Sequence, residues 1–140
     1  MILIVEDNPD DELLTLDALR SATSPCDIAI TRDGAEAIDY LFRAGAHRDR
    51  DPSVKPCVIL LDLKLPKLSG LDVLKRIRAD ERTRFLPVVL LTSSSQEEDM
   101  IRAYSYGANS YVRKPVQFER FVDAVRNLGQ YWLTVNEVPA

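Results

Sequence analysis

Apolar positions follow two rhythms along this chain. Residues 2–5, 28–31, 57–61 and 88–91 form short, mostly apolar runs, and Ser110-Tyr111-Val112 a shorter mixed one. Each reads as a strand, and the run at 2–5 suits one buried on both faces. Between them apolar residues recur at steps of three and four: Leu13, Leu16 and Leu19 with Leu14 and Ala18; Ala35, Ile38, Leu41 and Phe42; Leu71, Leu74 and Ile77; Met100, Ile101 and Tyr104; and Phe118, Phe121, Val122, Val125, Leu128 and Trp132. That spacing predicts five amphipathic helices, the last being the clearest.

Punctuation agrees with the periodicity. Asn8 can cap the first helix, Pro9 suits its first position, and Asp10, Asp11 and Glu12 complement the positive end of its dipole. Ser95-Gln96-Glu97-Glu98 fits a capping box, and Gly107 suits a helix stop. Residues 45–56, GAHRDRDPSVKP, hold Gly and two prolines and read as a long loop. Five strand–helix pairs in strict alternation predict an α/β domain with one parallel sheet covered by helices on both sides. In such sheets ligands sit beyond the C-terminal strand ends, at the point where strand order reverses.

Composition narrows the class. A chain of 140 residues is the size of one domain and can bury a core without disulfides or structural metal. A net charge of −4 disfavours a role built on gripping a nucleic-acid backbone. Cys26 and Cys57 have no metal-ligand spacing and read as small, partly buried thiols. No signal peptide is evident, and the apolar runs fall far short of the ~20 residues that span a bilayer. A cytoplasmic protein without membrane or direct DNA contact is expected. His47, the one histidine, reads as an exposed loop residue, since no partner motif accompanies it.

The strand ends carry the chemistry. Glu6 and Asp7 follow the first strand, Asp62 the third, Thr92 the fourth and Lys114-Pro115 the fifth. Singly, each has an ordinary reading as solvated surface, cap or turn. Together they converge on one edge. Three carboxylates in a crevice repel and lose hydration, so positive charge must offset them. Lys114 supplies one charge. The remaining donors are hard oxygens with no His or Cys nearby, which suits Mg²⁺, a metal that also partners phosphates. A hydroxyl at Thr92 and a point charge at Lys114 complete a constellation suited to phosphoryl chemistry, with a carboxylate available as nucleophile.

These residues and their settings, ILIVEDNPDD (2–11), VILLDLKLPKLSGLDVL (58–74), VVLLTSS (88–94) and GANSYVRKP (107–115), resemble the receiver domain of two-component response regulators, the CheY-like fold. The resemblance spans nearly the whole chain. It implies a flavodoxin-like sheet of order 2-1-3-4-5, with Asp62 accepting a phosphoryl group from a phosphohistidine on a sensor kinase. It implies Mg²⁺ held by Glu6, Asp7, Asp62 and the backbone carbonyl of Lys64, with Thr92 and Lys114 contacting the phosphoryl group. It further implies a cis Lys114–Pro115 bond and a switch in which Tyr111 turns inward with Thr92, altering the surface of the fourth helix, fifth strand and fifth helix. The resemblance implies a signalling switch rather than a metabolic enzyme.

Two departures from the family pattern carry information. Lys64 stands two residues after Asp62, and Ser94 two after Thr92; there the family flanks the route of the hydrolytic water. A long cation at Lys64 predicts slow loss of the phosphoryl group. The long loop, the VEDNPDDE start and the aromatic end are similar to stand-alone regulators that partner bacterial phytochrome histidine kinases. A receiver over 1–132 and a short tail over 133–140, without an output domain, are expected. So is a homodimer if the fourth-to-fifth-helix face turns Tyr104, Tyr106 and Phe121 outward. Tyr131 and Trp132 read as core or interface aromatics. Three alternatives stand beside this reading. A receiver-fold interaction module would lack a site residue. A Mg²⁺-dependent phosphatase resembling haloacid-dehalogenase enzymes would carry D-x-D after strand one, where Glu6-Asp7-Asn8 stands. A nucleotide-binding module would need a Gly-rich phosphate loop, which is missing.

Overall fold

The computed structural model describes residues 1–22, 27–93, 96–114 and 118–139. Its strands are β1 (Ile2–Val5), β2 (Ile28–Thr31), β3 (Val58–Leu61), β4 (Val88–Thr92) and β5 (Ser110–Arg113). They form one parallel sheet of order β2-β1-β3-β4-β5. The helices are α1 (Pro9–Ala22), α2 (Gly34–Phe42), α3 (Gly70–Ala79), α4 (Glu97–Ser105) and α5 (Phe118–Gln130). A π-helical turn, Tyr131–Val135, prolongs α5, and a 3₁₀ turn, Gly45–His47, opens the long loop.

Every residue of β1, β3 and β4 is buried, as runs without alternation require. Ile2, Ile4, Val58, Leu60, Val89 and Leu91 face α1 and α5, meeting Leu16, Leu19, Phe121, Val125 and Trp132. Leu3, Val5, Ile59, Leu61, Val88 and Leu90 face the other way, meeting Leu41, Val73, Leu74, Ile77 and Ala103. Each such Leu, Ile or Val contributes roughly 1.5–3 kcal/mol on burial, so the central strands are the most firmly held part of the molecule.

The expected caps at Asn8 and Gly107 form, and Asp33 and Ser69 add two more. Asn8 Oδ1 accepts from the backbone N–H groups of Asp10 and Asp11 at 2.9 and 3.1 Å. Asp33 caps α2 through Glu36 N at 2.7 Å, and Ser69 caps α3 through Asp72 N at 3.2 Å. Gly107 has φ +98 at the end of α4, the left-handed backbone that glycine takes without steric cost. The α4 cap position is Gln96, one residue past the start of the expected capping box. Ser95 itself, Cys26, Ser94, Pro115 with the expected cis bond, and the side chain of Phe118 lie outside the described residues.

Several side chains depart from expectation. Leu13 is 59% exposed, while Thr15 is buried. At 100° per residue, Leu13 lies about 140° from the centre of the buried arc formed by Thr15, Leu16, Ala18 and Leu19, so its three-residue spacing to Leu16 misleads. Ala37 and Val73 are buried where Ala35 and Leu71 are not. Phe121 is buried against β1 and α1 rather than turned outward. Tyr106 is half-buried, with Lys75 Nζ 4.4 Å from its ring centre. His47 is not a free loop residue: Nε2 stands 3.3 Å from Glu36 Oε2, and its ring meets Tyr40 edge-on. Arg50 anchors the same loop, donating to Tyr40 O at 2.9 Å with its guanidinium over the Tyr40 ring.

Candidate phosphoryl and metal site

The strand order reverses between β1 and β3, and the expected residues gather there. Asp62 leaves β3 with its N–H bonded to Val5 O at 3.0 Å. Glu6 leaves β1 with its N–H on Thr31 O at 3.0 Å. These ladder bonds continue the pairing Val5↔Leu61 and Val5↔Thr31, so both carboxylates stand on backbone that the sheet fixes. Thr92 ends β4, fully buried, and its carbonyl accepts from Lys114 N at 2.7 Å.

Carboxylate oxygens of Glu6, Asp7 and Asp62 all lie within 4.8 Å of one another. Glu6 and Asp62 are buried; Asp7 is exposed and leaves the cluster open to solvent. Lys114 Nζ donates to Glu6 Oε2 at 2.8 Å, Asp11 Oδ2 at 2.8 Å and Asp62 Oδ2 at 3.2 Å. Glu6 Oε1 accepts from Asn8 N at 3.1 Å, and Asp62 Oδ1 from Lys64 N at 3.3 Å.

One ammonium shared by three carboxylates leaves the site short of positive charge. Burial, against the hydrogen bond from Lys114, lifts the Glu6 carboxyl from its ordinary 4.5 to about 7, and the Asp62 charge adds to the lift. Burial would pull Lys114 down. Its hydrogen bonds to Asp11 and Glu6, with the charge of Asp62, outweigh that and hold it above its ordinary value. The amine therefore stays charged, and Glu6 takes up a proton well above the usual carboxylate range. An all-oxygen set with a buried, undercompensated carboxylate fits a divalent hard cation.

Tyr111 pairs with Leu90 in the sheet register and is half-buried against the α2–α3–α4 core. Lys64 is exposed. The sequence gives Asp11 only a role at the helix dipole, yet it is one of the two closest partners of Lys114. A signal was available: Asp11 shares a helical face with Thr15 and Ala18, both buried, so its carboxylate points inward along α1. Among the described residues no helix is long and apolar enough to cross a membrane.

The response regulator receiver domain model matches residues 2–126. FilR2 of Methanothrix harundinacea, a probable methanogenesis regulatory protein, is 41% identical over 140 residues, 99% of this chain and 87% of that protein. Response regulator Rcp1 of Synechocystis is 34% identical over 140 residues, 100% of this chain and 93% of its own. Its Mn²⁺-bound crystal structure superposes with a TM-score of 0.90 over 99% of this chain and 98% of that one. The phosphorylated cyanobacterial phytochrome response regulator RcpA, 34% identical, superposes with a TM-score of 0.91 over 99% of this chain and 97% of that one. With the sheet order and the strand-end acids already in place, the chain belongs to the family of response regulator receiver domains, the signalling receivers of two-component systems.

Proposed function

We propose that this chain is a phosphorylated switch whose acceptor is Asp62. A phosphohistidine on a sensor kinase presents phosphorus to an Asp62 carboxylate oxygen. The P–N bond breaks as the P–O bond forms, its electron pair returns to the ring nitrogen, and the ring, whose other nitrogen carries a proton, leaves as neutral imidazole. The observation that carries this reading is the Asp62 carboxylate itself: buried, fixed by β3, within 4.8 Å of two further carboxylate ligands and 3.2 Å from an ammonium. Glu6, Asp7 and Asp62, with the Lys64 carbonyl, would hold Mg²⁺. The bound ion would neutralise charge on the phosphoryl oxygens. Lys114 would pair with one such oxygen, and Thr92 would donate its hydroxyl to another.

Phosphorylation would then act through Thr92 and Tyr111 on the surface of α4, β5 and α5. Ile101 and Tyr104 are both more than half exposed on α4, which supports partner binding or a homodimer there. Phe121, being buried, takes no part. Phosphorylated RcpA is a phytochrome response regulator and Rcp1 binds Mn²⁺; both favour a phytochrome-linked sensor kinase as partner and a divalent metal as cofactor.

The test is phosphoryl incorporation from acetyl phosphate, read by intact mass with and without Mg²⁺, beside Asp62→Asn. An acid-stable, base-labile adduct on wild type alone, dependent on Mg²⁺, is expected. An adduct that survives Asp62→Asn would mean a different acceptor. No adduct on wild type would favour a receiver fold used only for binding.

A further inference from the structure

Lys114 has three N–H donors, and all three find carboxylates. Two of these partners have other work under the reading above, on which this inference rests: Glu6 and Asp62 belong to the metal cluster, and Asp62 also takes the phosphoryl group. Asp11 belongs to neither. It lies outside the group of mutually close ligand oxygens, yet its 2.8 Å contact equals that of Glu6.

The backbone of Asp11 is held by the first turn of α1. Asn8 Oδ1 accepts from Asp11 N at 3.1 Å, which fixes the first turn of α1. Asp11 then reaches across to the end of β5, 103 residues away in sequence. The geometry points to Asp11 as a positioning residue: it anchors the Lys114 ammonium beside the acceptor, so that the amine neither collapses onto Glu6 and Asp62 nor drifts away when those carboxylates are engaged.

The consequence is specific. Without Asp11, the ammonium's charge-assisted bonds concentrate on the two carboxylates the metal needs. Metal binding must then displace a tighter internal ion pair, and the amine is no longer held where a phosphoryl oxygen would arrive. The effect of Asp11 should therefore run through Lys114. A general loss of negative charge would act whether or not the lysine is present.

The experiment is a double-mutant cycle of Asp11→Asn with Lys114→Gln, with Asp10→Asn as a neighbouring charge control. Two quantities are read: Mg²⁺ affinity by calorimetry and the rate of phosphoryl uptake from acetyl phosphate. With Lys114 present, Asp11→Asn should weaken each roughly tenfold, the middle of the coupling range for residues in one network. In the Lys114→Gln background the same change should fall to the small effect of Asp10→Asn. Asp11→Glu, which keeps the charge, should restore part of the loss, and Asp11→Ser serves as a second truncation if Asp11→Asn melts early. Equal effects of Asp11→Asn in both backgrounds overturn the inference. If wild type takes up no phosphoryl group, the phosphoacceptor reading fails and the Mg²⁺ cycle alone decides the role of Asp11.

Discussion

Gly70 is the residue on which the placement of Asp62 depends most sharply. It begins α3, where intrinsic propensity favours alanine over glycine by up to about 1 kcal/mol. Propensity alone predicts that Gly70→Ala stabilises. The local geometry predicts the reverse. A Cβ at Gly70 would stand 2.2 Å from the Asp62 carbonyl oxygen and 2.8 Å from Leu63 Cα, both backbone atoms. Backbone cannot swing aside as a flexible side chain does. The loop after β3 and the start of α3 must therefore separate by about 1 Å, against the Gly70 N–H to Leu63 O bond of 2.8 Å that ties them. Overpacking of this kind costs about 1–3 kcal/mol, and loss of that bond adds about 1 kcal/mol. Sterics win by roughly 1–3 kcal/mol net. For a chain of this length that lowers the melting temperature by roughly 4–10 °C. The movement falls on the acceptor itself, and a misplacement near 1 Å can cost about a hundredfold in rate. Thermal melts and an intact-mass time course with acetyl phosphate and Mg²⁺ should show both losses. A variant that melts at or above wild type would refute the steric argument. One that melts lower but takes up phosphoryl groups at the wild-type rate would refute the link from Gly70 to Asp62.

Lys64→Asn should shorten the lifetime of the phosphoryl group, because the exposed lysine two residues past Asp62 no longer crowds the approach of water; equal lifetimes would remove Lys64 from that account. Glu6 is raised to about 7, so its contribution to the stability of the metal-free protein is fully present below its ordinary 4.5 and is lost as pH rises through about 7. Metal must displace that proton, so Mg²⁺ affinity should rise about tenfold from pH 6 to pH 8; calorimetry in paired buffers should show proton release at pH 6, and a pH-independent affinity would contradict it. Leu19→Ala should cost about 2–5 kcal/mol while Leu13→Ala stays within about 0.5 kcal/mol, since Leu19 is buried and Leu13 is not; denaturant unfolding yielding similar costs would reverse the assignment of the α1 face.

The strands and their order of use were legible because a parallel sheet leaves a direct trace. Residues 2–5 and 58–61 are apolar at every position, since helices cover both sides of β1 and β3. The site acids were legible because they are the first polar residues after those runs. What sequence hides is which helical face turns inward and what crosses from another element. Leu13 sits at a plausible spacing on the wrong side of α1. Phe121 fits an interface pattern, yet α5 packs flat on α1 and buries it. His47 lacks a motif because its partner Glu36 lies on α2, brought near only when the loop folds back. Asp11 has an ordinary role at a helix start, and only the return of the chain at Lys114 gives it another.

The site is held unequally on its two sides, and this bears on where a charge change would travel. Glu6 and Asp62 extend β1 and β3, central strands whose residues are at most 2% exposed and which pair on both edges. Tyr111 belongs to β5 and Lys114 follows it directly; β5 is the edge strand, pairs with β4 alone and is half-buried at three of its four positions. Local opening costs least where fewest apolar contacts and backbone bonds must be given up. A phosphoryl group on Asp62, as proposed, would add negative charge at the rigid centre, and the cation that would answer it stands at the end of the softer strand. Rearrangement is therefore cheaper at β5 than at β1 or β3. Tyr111, two positions from the end of β5 and packed towards α4, lies on that softer side. Ile101 and Tyr104, both exposed, stand on α4, the helix that leads into that softer strand.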